Sequence, residues 1–294
     1  MARQDLYTEV ANKILDIMDK GFIPWRKAWT GATSDSGEFC VSGRSGNSYS
    51  LLNHMLLGFR PGRYYTFNQI KQLGASVRKG QHASAIYFFT RGYSRKREDE
   101  DGKVTMEWKE YFCPVLVKYL VWHEEQTTIE PAEVQVKPEI IISQDAEAVA
   151  KSYLSREGIK FTDGASEAYY SPHFDSVTMP NINQFSDAAE YYSTLFHEFT
   201  HSTMIEKRLN RPHAGFVENK EIYSREELVA EMGAAFILAF LGIQTENSLK
   251  NSAAYIQSWK RFIQDDPKAV VYAASRAEKA ANFILGNFKP TESE

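Results

Sequence analysis

At 294 residues and 43% hydrophobic content, the chain is long enough for one large or two ordinary domains with real cores. Its two cysteines, Cys40 and Cys113, lie far apart without a C-x-x-C partner, which excludes a disulfide framework or a zinc ribbon and fits a reducing cytoplasm. The N-terminal stretch lacks the apolar core of a secretion signal, no run approaches the roughly 18 apolar residues of a membrane span, and no fixed-period repeat is visible, so a soluble cytoplasmic protein without a membrane partner is expected.

The net charge of −4 conceals an asymmetry. Residues 1–97 carry 15 Lys and Arg against 6 Asp and Glu, while residues 98–294 carry 19 against 32. A basic half joined to an acidic half implies that the first meets a polyanion and the second does something else.

In chain order, helical spacing of Leu6, Val10, Ile14 and Met18 predicts a helix that stops at Gly21. A loop rich in tryptophan and cations follows, Pro24-Trp25-Arg26-Lys27-Ala28-Trp29. The turn-forming stretch Ser42 to Tyr49 then leads into a short helix over Leu51–Leu57. Tyr64 to Phe67 reads as a strand and Asn68 to Gly74 as a helix ended by glycine. A basic turn around Arg78 and Lys79 precedes a strand over Ala83–Thr90, and the charged block Arg95–Lys103 reads as an exposed hairpin loop before a strand from Trp108 to Val121. From Gln126 to Pro138 the composition turns to Pro, Glu and Thr with little periodicity. The chain therefore divides into a small mixed α/β domain over 1–125, a linker over 126–143 and a second domain over 144–294, an α+β protein overall. The second domain opens with a helix over Ala146–Arg156 and short strands, the last over Ser176–Pro180, beside which a peptide could lie as an added strand. Four helices follow, the last two near 252–264 and 268–287.

Single strands are held by cations that track phosphates and by rings on which bases stack. In the basic half the candidate stacking residues are Trp25, Trp29 and Tyr49, and the candidate phosphate contacts are Arg26, Lys27, Arg44, Arg63, Arg78 and Lys79. Tyr64, Phe67, Tyr87 and Phe88 have the spacing of core residues.

The chemistry concentrates in His197-Glu198-Phe199-Thr200-His201. Helix residues i and i+4 share a face, so both imidazoles can reach one metal ion, while Glu198 projects beside it as a general base. The preceding run has no Gly or Pro, starts at Asp187 as a cap with Glu190 at capping-box spacing, and carries the apolar stripe Tyr192, Leu195, Phe196, Phe199. A catalytic zinc needs a third protein ligand and an open fourth position. The helical segment Tyr223–Phe240 offers Glu226, Glu227 and Glu231. Glu227 and Glu231 share an inward face with Leu238, and Glu226 points elsewhere. Glu227 is favoured as the ligand, with Glu231 one turn on as a carboxylate that orients a ligand histidine. Two alternatives stay open: Glu231 as ligand, and Glu227 as a capping-box partner of Ser224. The ion is expected to be Zn2+, one per chain, with Mn2+ or another divalent ion as the alternative.

The stretches Pro24–Trp29, Ser42–Ser50 leading into Leu51-Leu52-Asn53, and Tyr65–Gly80 resemble the N-terminal domain of ArdC-type antirestriction proteins. Tyr191–His201 and Arg225–Phe236 resemble the zincin-type metallopeptidase domain that follows it in that family. Ala28 departs from the pattern, since relatives often place proline between the tryptophans. The resemblance implies a plasmid-encoded protein that binds single-stranded DNA and protects incoming conjugative DNA from restriction enzymes in the bacterial recipient. It also implies His197 and His201 as ligands, Glu198 as the base and Glu227 as the third ligand. Two functions compete: a DNA-guided peptidase acting on a restriction enzyme or another DNA-associated protein, and a DNA-binding blocker whose metal domain is structural or dispensable. Two histidines on one helix do not suit a two-metal nuclease.

Overall fold

The computed structural model describes residues 5–21, 23–26, 40–98, 104–130, 142–211, 220–243 and 253–286. Helix α1, Leu6–Met18, starts where Asp5 accepts the amide of Tyr7 and buries Val10, Ala11, Ile14 and Met18, the stripe its spacing predicts. Strand β1 (Cys40–Ser42), helix α2 (Leu51–Leu56), strand β2 (Gly62–Thr66) and helix α3 (Phe67–Gln72) follow. Thr66 and Gln69 close a reciprocal capping box at the start of α3, which pins its angle to β2.

Strands β3 (Ser84–Glu98) and β4 (Val104–His123) complete a sheet of order β1-β2-β4-β3, in which only the β1–β2 pair is parallel. The charged block expected to be a loop is strand as far as Glu98. Beyond the core the hairpin continues as a two-stranded ribbon, so the exposed Arg95 pairs across the ladder without burying its charge. The register breaks between Thr90 and Gly92, where Thr90 opposes Val115 and Gly92 opposes Glu110. Pro114 lies in the skipped stretch and cannot donate to a ladder. Gly92 sits where an added Cβ would come 2.4 Å from the Lys109 carbonyl, so the ribbon tolerates no side chain there.

The start of the expected linker is not free: the Thr127 side chain is fully buried and its backbone bridges Val77. Residues 131–141 lie outside the described residues. Helix α4 (Ile142–Glu157) leads into a three-stranded sheet of order β5-β7-β6, built from Lys160–Asp163, Tyr169–Ser171 and Ser176–Met179. Because β7 is the middle strand, both its edges are occupied, and a peptide cannot add beside Ser176–Met179 as the sequence suggested. Helices α5 (Ala188–Ser202), α6 (Lys220–Phe240), α7 (Ala253–Asp265) and α8 (Pro267–Leu285) finish the chain. Pro267 opens α8 and Gly286, in a left-handed conformation, closes it.

Two cores result, and they do not divide at the linker. The first joins α1, α2 and β3 to Leu228 and Met232 of α6, Ile263 of α7, and Val270 and Ala274 of α8. The second joins α4, α5 and the small sheet to Ala234, Ile237 and Leu238 of α6 and to Ile284 of α8. Helix α6 thus lies between them, one face to each.

Candidate metal centre

Helix α5 begins as its sequence dictates. Asp187 accepts the amide of Glu190 at 2.8 Å, and the Glu190 carboxylate turns back one residue further than a strict capping box, to the amide and hydroxyl of Ser186. Phe196 and Phe199 are fully buried, so the helix is locked in rotation and His197 and His201 emerge together on the face toward α6.

The crossing with α6 depends on Gly233. A Cβ there would lie 2.7 Å from both Oγ1 and Cγ2 of Thr200, so only glycine allows this approach. Two turns earlier along α6, the same close crossing presents Glu226 and Glu227 to the histidines. Glu227 lies with Oε2 3.5 Å from His197 Nε2 and Oε1 3.4 Å from His201 Nε2, and the two Nε2 atoms are 3.1 Å apart. A tetrahedral ion bound at about 2.05 Å by N and O donors spaces its ligands about 3.3 Å apart. The two Nε2 atoms stand near that separation, and each has one of the two Glu227 oxygens at a similar distance. These three residues are the one group among the described residues whose donor atoms converge in the manner of a metal site.

Charge agrees with geometry. Around the imidazoles stand the carboxylates of Glu198, Glu226 and Glu227 and one guanidinium, Arg211, leaving two negative charges for a dication to neutralise. Without an ion the imbalance falls on the side chains. Burial would lower His201, but Glu226 and Glu227 outweigh it and hold the imidazole up at about 10. Burial would raise Glu227, but hydrogen bonding to His197 and His201 holds it well below the usual carboxylate range. Two like ring nitrogens in contact require a proton or a cation between them.

Glu226 corrects the sequence reading. It does not point elsewhere: it is 8% exposed, with Oε1 3.6 Å from His201 Nδ1. The carboxylate facing the far nitrogen of His201 is therefore Glu226, and Glu231 is half-buried one turn further on. Arg211 fixes it from below, reaching Glu226 with Nε and Nη2 while donating to the Thr200 carbonyl at 2.9 Å. No periodicity announces Arg211, because it arrives from the turn after α5, where its amide donates to the Met204 carbonyl. The one sequence signal for this approach is Gly233 inside an otherwise strong helix former.

The residues assigned to DNA from composition are dispersed. Trp25 is 1% exposed and edge-on to Trp259 at 6.2 Å, a core residue rather than a stacking platform, because its large ring gains most by burial between α6 and α7. Lys27, Trp29 and the Arg26 side chain lie outside the described residues. Strand alternation sends Arg63 to the face of β2 opposite Tyr64 and Thr66. Arg44, Arg78 and Lys79 are exposed, and Tyr49 is buried except for its edge. His54 and His123 are core histidines: His54 meets Ser48 Oγ at 3.1 Å and His123 meets the Pro61 carbonyl at 2.9 Å.

An HExxH helix crossed by a helix bearing a third donor defines a zincin-like metallopeptidase domain, and residues 148–276 match the family model of that description. Residues 4–122 match the N-terminal domain of anti-restriction factor ArdC. Over nearly its whole length the chain resembles the antirestriction protein ArdC of plasmid R388: 30% identity and TM-score 0.69 to the metal-free crystal structure, covering 97% of this chain and 99% of that one. To the Mn(II)-bound crystal structure the values are 29% and 0.71, with 98% and 100% covered. The chain belongs to the ArdC family. Two Escherichia coli proteins named DNA primase TraC are 28% identical over 96% of this chain, which spans only 20% and 27% of their length. An uncharacterized protein, y4eC of Sinorhizobium fredii, is 27% identical over 95% of this chain and 91% of its own length. Among the described residues no helix is long and apolar enough to cross a membrane.

Proposed function

We propose that this chain is an antirestriction protein that binds single-stranded DNA through its basic half and hydrolyses peptide bonds at a zinc centre held by His197, His201 and Glu227. The observation that carries the reading is the convergence of His197 Nε2, His201 Nε2 and the Glu227 carboxylate, in contacts of 3.1 to 3.5 Å, with Glu198 buried beside them. A bound zinc ion supplies Lewis acidity toward the scissile carbonyl and the attacking water. Glu198 takes the proton from that water and returns it to the leaving amine nitrogen. Glu226, braced by Arg211, orients His201 so that Nε2 presents its lone pair. Three protein donors, partly open to solvent, leave room for substrate, which favours a catalytic over a purely structural centre. Mn2+ is the alternative ion, since the relative from plasmid R388 has a Mn(II)-bound form. The DNA is incoming conjugative DNA in the cytoplasm of a bacterial recipient, and the protein target is a restriction enzyme or another protein seated on that DNA.

The deciding experiment is a restriction-protection assay of wild type and Glu198→Ala, with bound metal quantified in both. The variant should keep its metal and lose both proteolysis and protection. Full protection by a metal-replete Glu198→Ala would shift the function to occupation of the DNA, with the metal domain dispensable.

A further inference from the structure

A cavity of about 390 Å³ opens on the N-terminal sheet, away from the metal centre. Its floor is Ile86 and Val121, its walls carry the rings of Tyr49, Phe88 and Tyr119, and its rim is the Ser42–Ser48 loop with Thr66 and Gln69 from the start of α3. That size is within the roughly 300–1,000 Å³ of small-molecule sites. The loop is shaped to stand there. Gly43 packs so close to the Tyr65 ring that no Cβ fits, and Gly46 turns the chain at φ +72°, where other residues are strained.

The chemistry of the lining selects its occupant. Tyr49 is 8% exposed, yet its hydroxyl has no hydrogen-bond partner among the described residues, nor is that oxygen among the buried atoms left unsatisfied. The hydroxyl therefore reaches solvent through the cavity that its ring lines, where a buried tyrosine would ordinarily hold a protein partner. The Asn47 side-chain amide has no partner among the described residues either, and Gln69 uses its side-chain carbonyl oxygen on the Thr66 backbone amide, leaving its NH2 to donate. Tyr119, half exposed, meets Phe88 edge-on at 6.0 Å and offers an open ring face. Among the described residues, no carboxylate, lysine, arginine or histidine lines the space, while the exposed Arg44 stands on the same loop. A neutral slot with ring walls, amide donors and acceptors, and a cation outside it suits a flat neutral heterocycle attached to an anion.

We propose that this cavity takes one unstacked nucleobase of the bound single strand, with the base lying against Tyr119 and its edge read by Asn47, Gln69 and the Tyr49 hydroxyl. The inference rests on the DNA-binding reading above and gives it a location and a base-selective element that phosphate contacts cannot supply.

The test is a thermodynamic cycle on the full chain, using labelled oligonucleotides by fluorescence anisotropy. The strands are a thymidine homopolymer and an abasic deoxyribose-phosphate strand of equal length, each bound to wild type and to Tyr119→Ala. A base stacked on one aromatic ring is worth about 1–3 kcal/mol, roughly 5- to 150-fold in affinity. Tyr119→Ala should lose that factor on the thymidine strand and nothing on the abasic strand. Tyr49→Phe, which removes one hydroxyl and keeps the packing, should alter the ranking of the four homopolymers. Salt-dependent binding by wild type, with Tyr119→Ala losing equally on both strands or on neither, overturns the cavity assignment and leaves the DNA-binding reading intact. Absence of any binding to single strands by wild type overturns both.

Discussion

The candidate metal centre and the basic N-terminal stretch were both legible as residue patterns, and folding treated them differently. At the centre, His197, Glu198 and His201 keep the relation that one turn of helix imposes, and α6 closes on them through Gly233. In the N-terminal half, residues grouped by composition were sorted by burial: Trp25 went into the core, Arg63 to the opposite face of β2, and Tyr49 to a cavity wall. A motif whose geometry is carried by the local backbone survives folding, whereas one defined by residue type alone is redistributed by the hydrophobic effect.

The contrast can be broken most directly at Glu198. Its replacement by alanine should reduce peptide hydrolysis by about 10²–10⁴-fold, the worth of a positioned general base, with metal content unchanged. Loss of metal in that variant would make Glu198 part of the binding set. Trp25→Ala tests the other region: it should cost about 3–5 kcal/mol of stability, as truncating a buried aromatic does, and lower the melting temperature. A stable Trp25→Ala protein with impaired DNA binding would return Trp25 to the surface role that its sequence neighbours suggested.

Smaller effects sharpen the picture. Glu226→Gln should weaken metal affinity by about 10–100-fold, measured by competition with a chelator, while Glu226→Asp restores part of it. An affinity equal to wild type would mean that Arg211 and Glu226 only close the turn after α5. Acid stability should report Asp175, which accepts from Arg208, Lys207 and Tyr170. Burial would raise its carboxyl, but those donors outweigh burial and hold it at about 2 rather than 3.8. Because the folded value is the lower one, the stabilisation is fully present above the ordinary carboxylate value and is lost as pH falls from 3.8 toward about 2. Asp175→Asn should flatten urea midpoints across that window, by about 1–2 kcal/mol once solvent screening is allowed for. The smallest effect belongs to single cations: Arg44→Ala or Lys79→Ala should reduce the log–log salt slope of single-strand binding by about 0.7. An unchanged slope would place the phosphates elsewhere.

Much of the secondary structure could be read from spacing. The stripe of α1 and the cap at Asp187 are local signals, and the elements form on them. The reading failed where the competing force was non-local. Arg95 looked like loop because charge runs usually are, but a two-stranded ribbon has no buried face to exclude them. The linker composition led to an expected change of domain, yet α6, α7 and α8 return to complete the first core around α1 and α2.

The sequence by itself determined that two imidazoles and a carboxylate would share one face of a capped helix, because helical pitch and capping act within a few residues. It also set the charge division between the two halves. Only the tertiary structure decided which carboxylates of α6 would meet those imidazoles. Glu226 and Glu227 lie two turns before the crossing with α5, a crossing set by the contact of Gly233 with Thr200 and by burial on both faces of α6. The choice among three glutamates on one helix depends on the rotation of that helix against its neighbour, and packing across the whole chain sets that rotation.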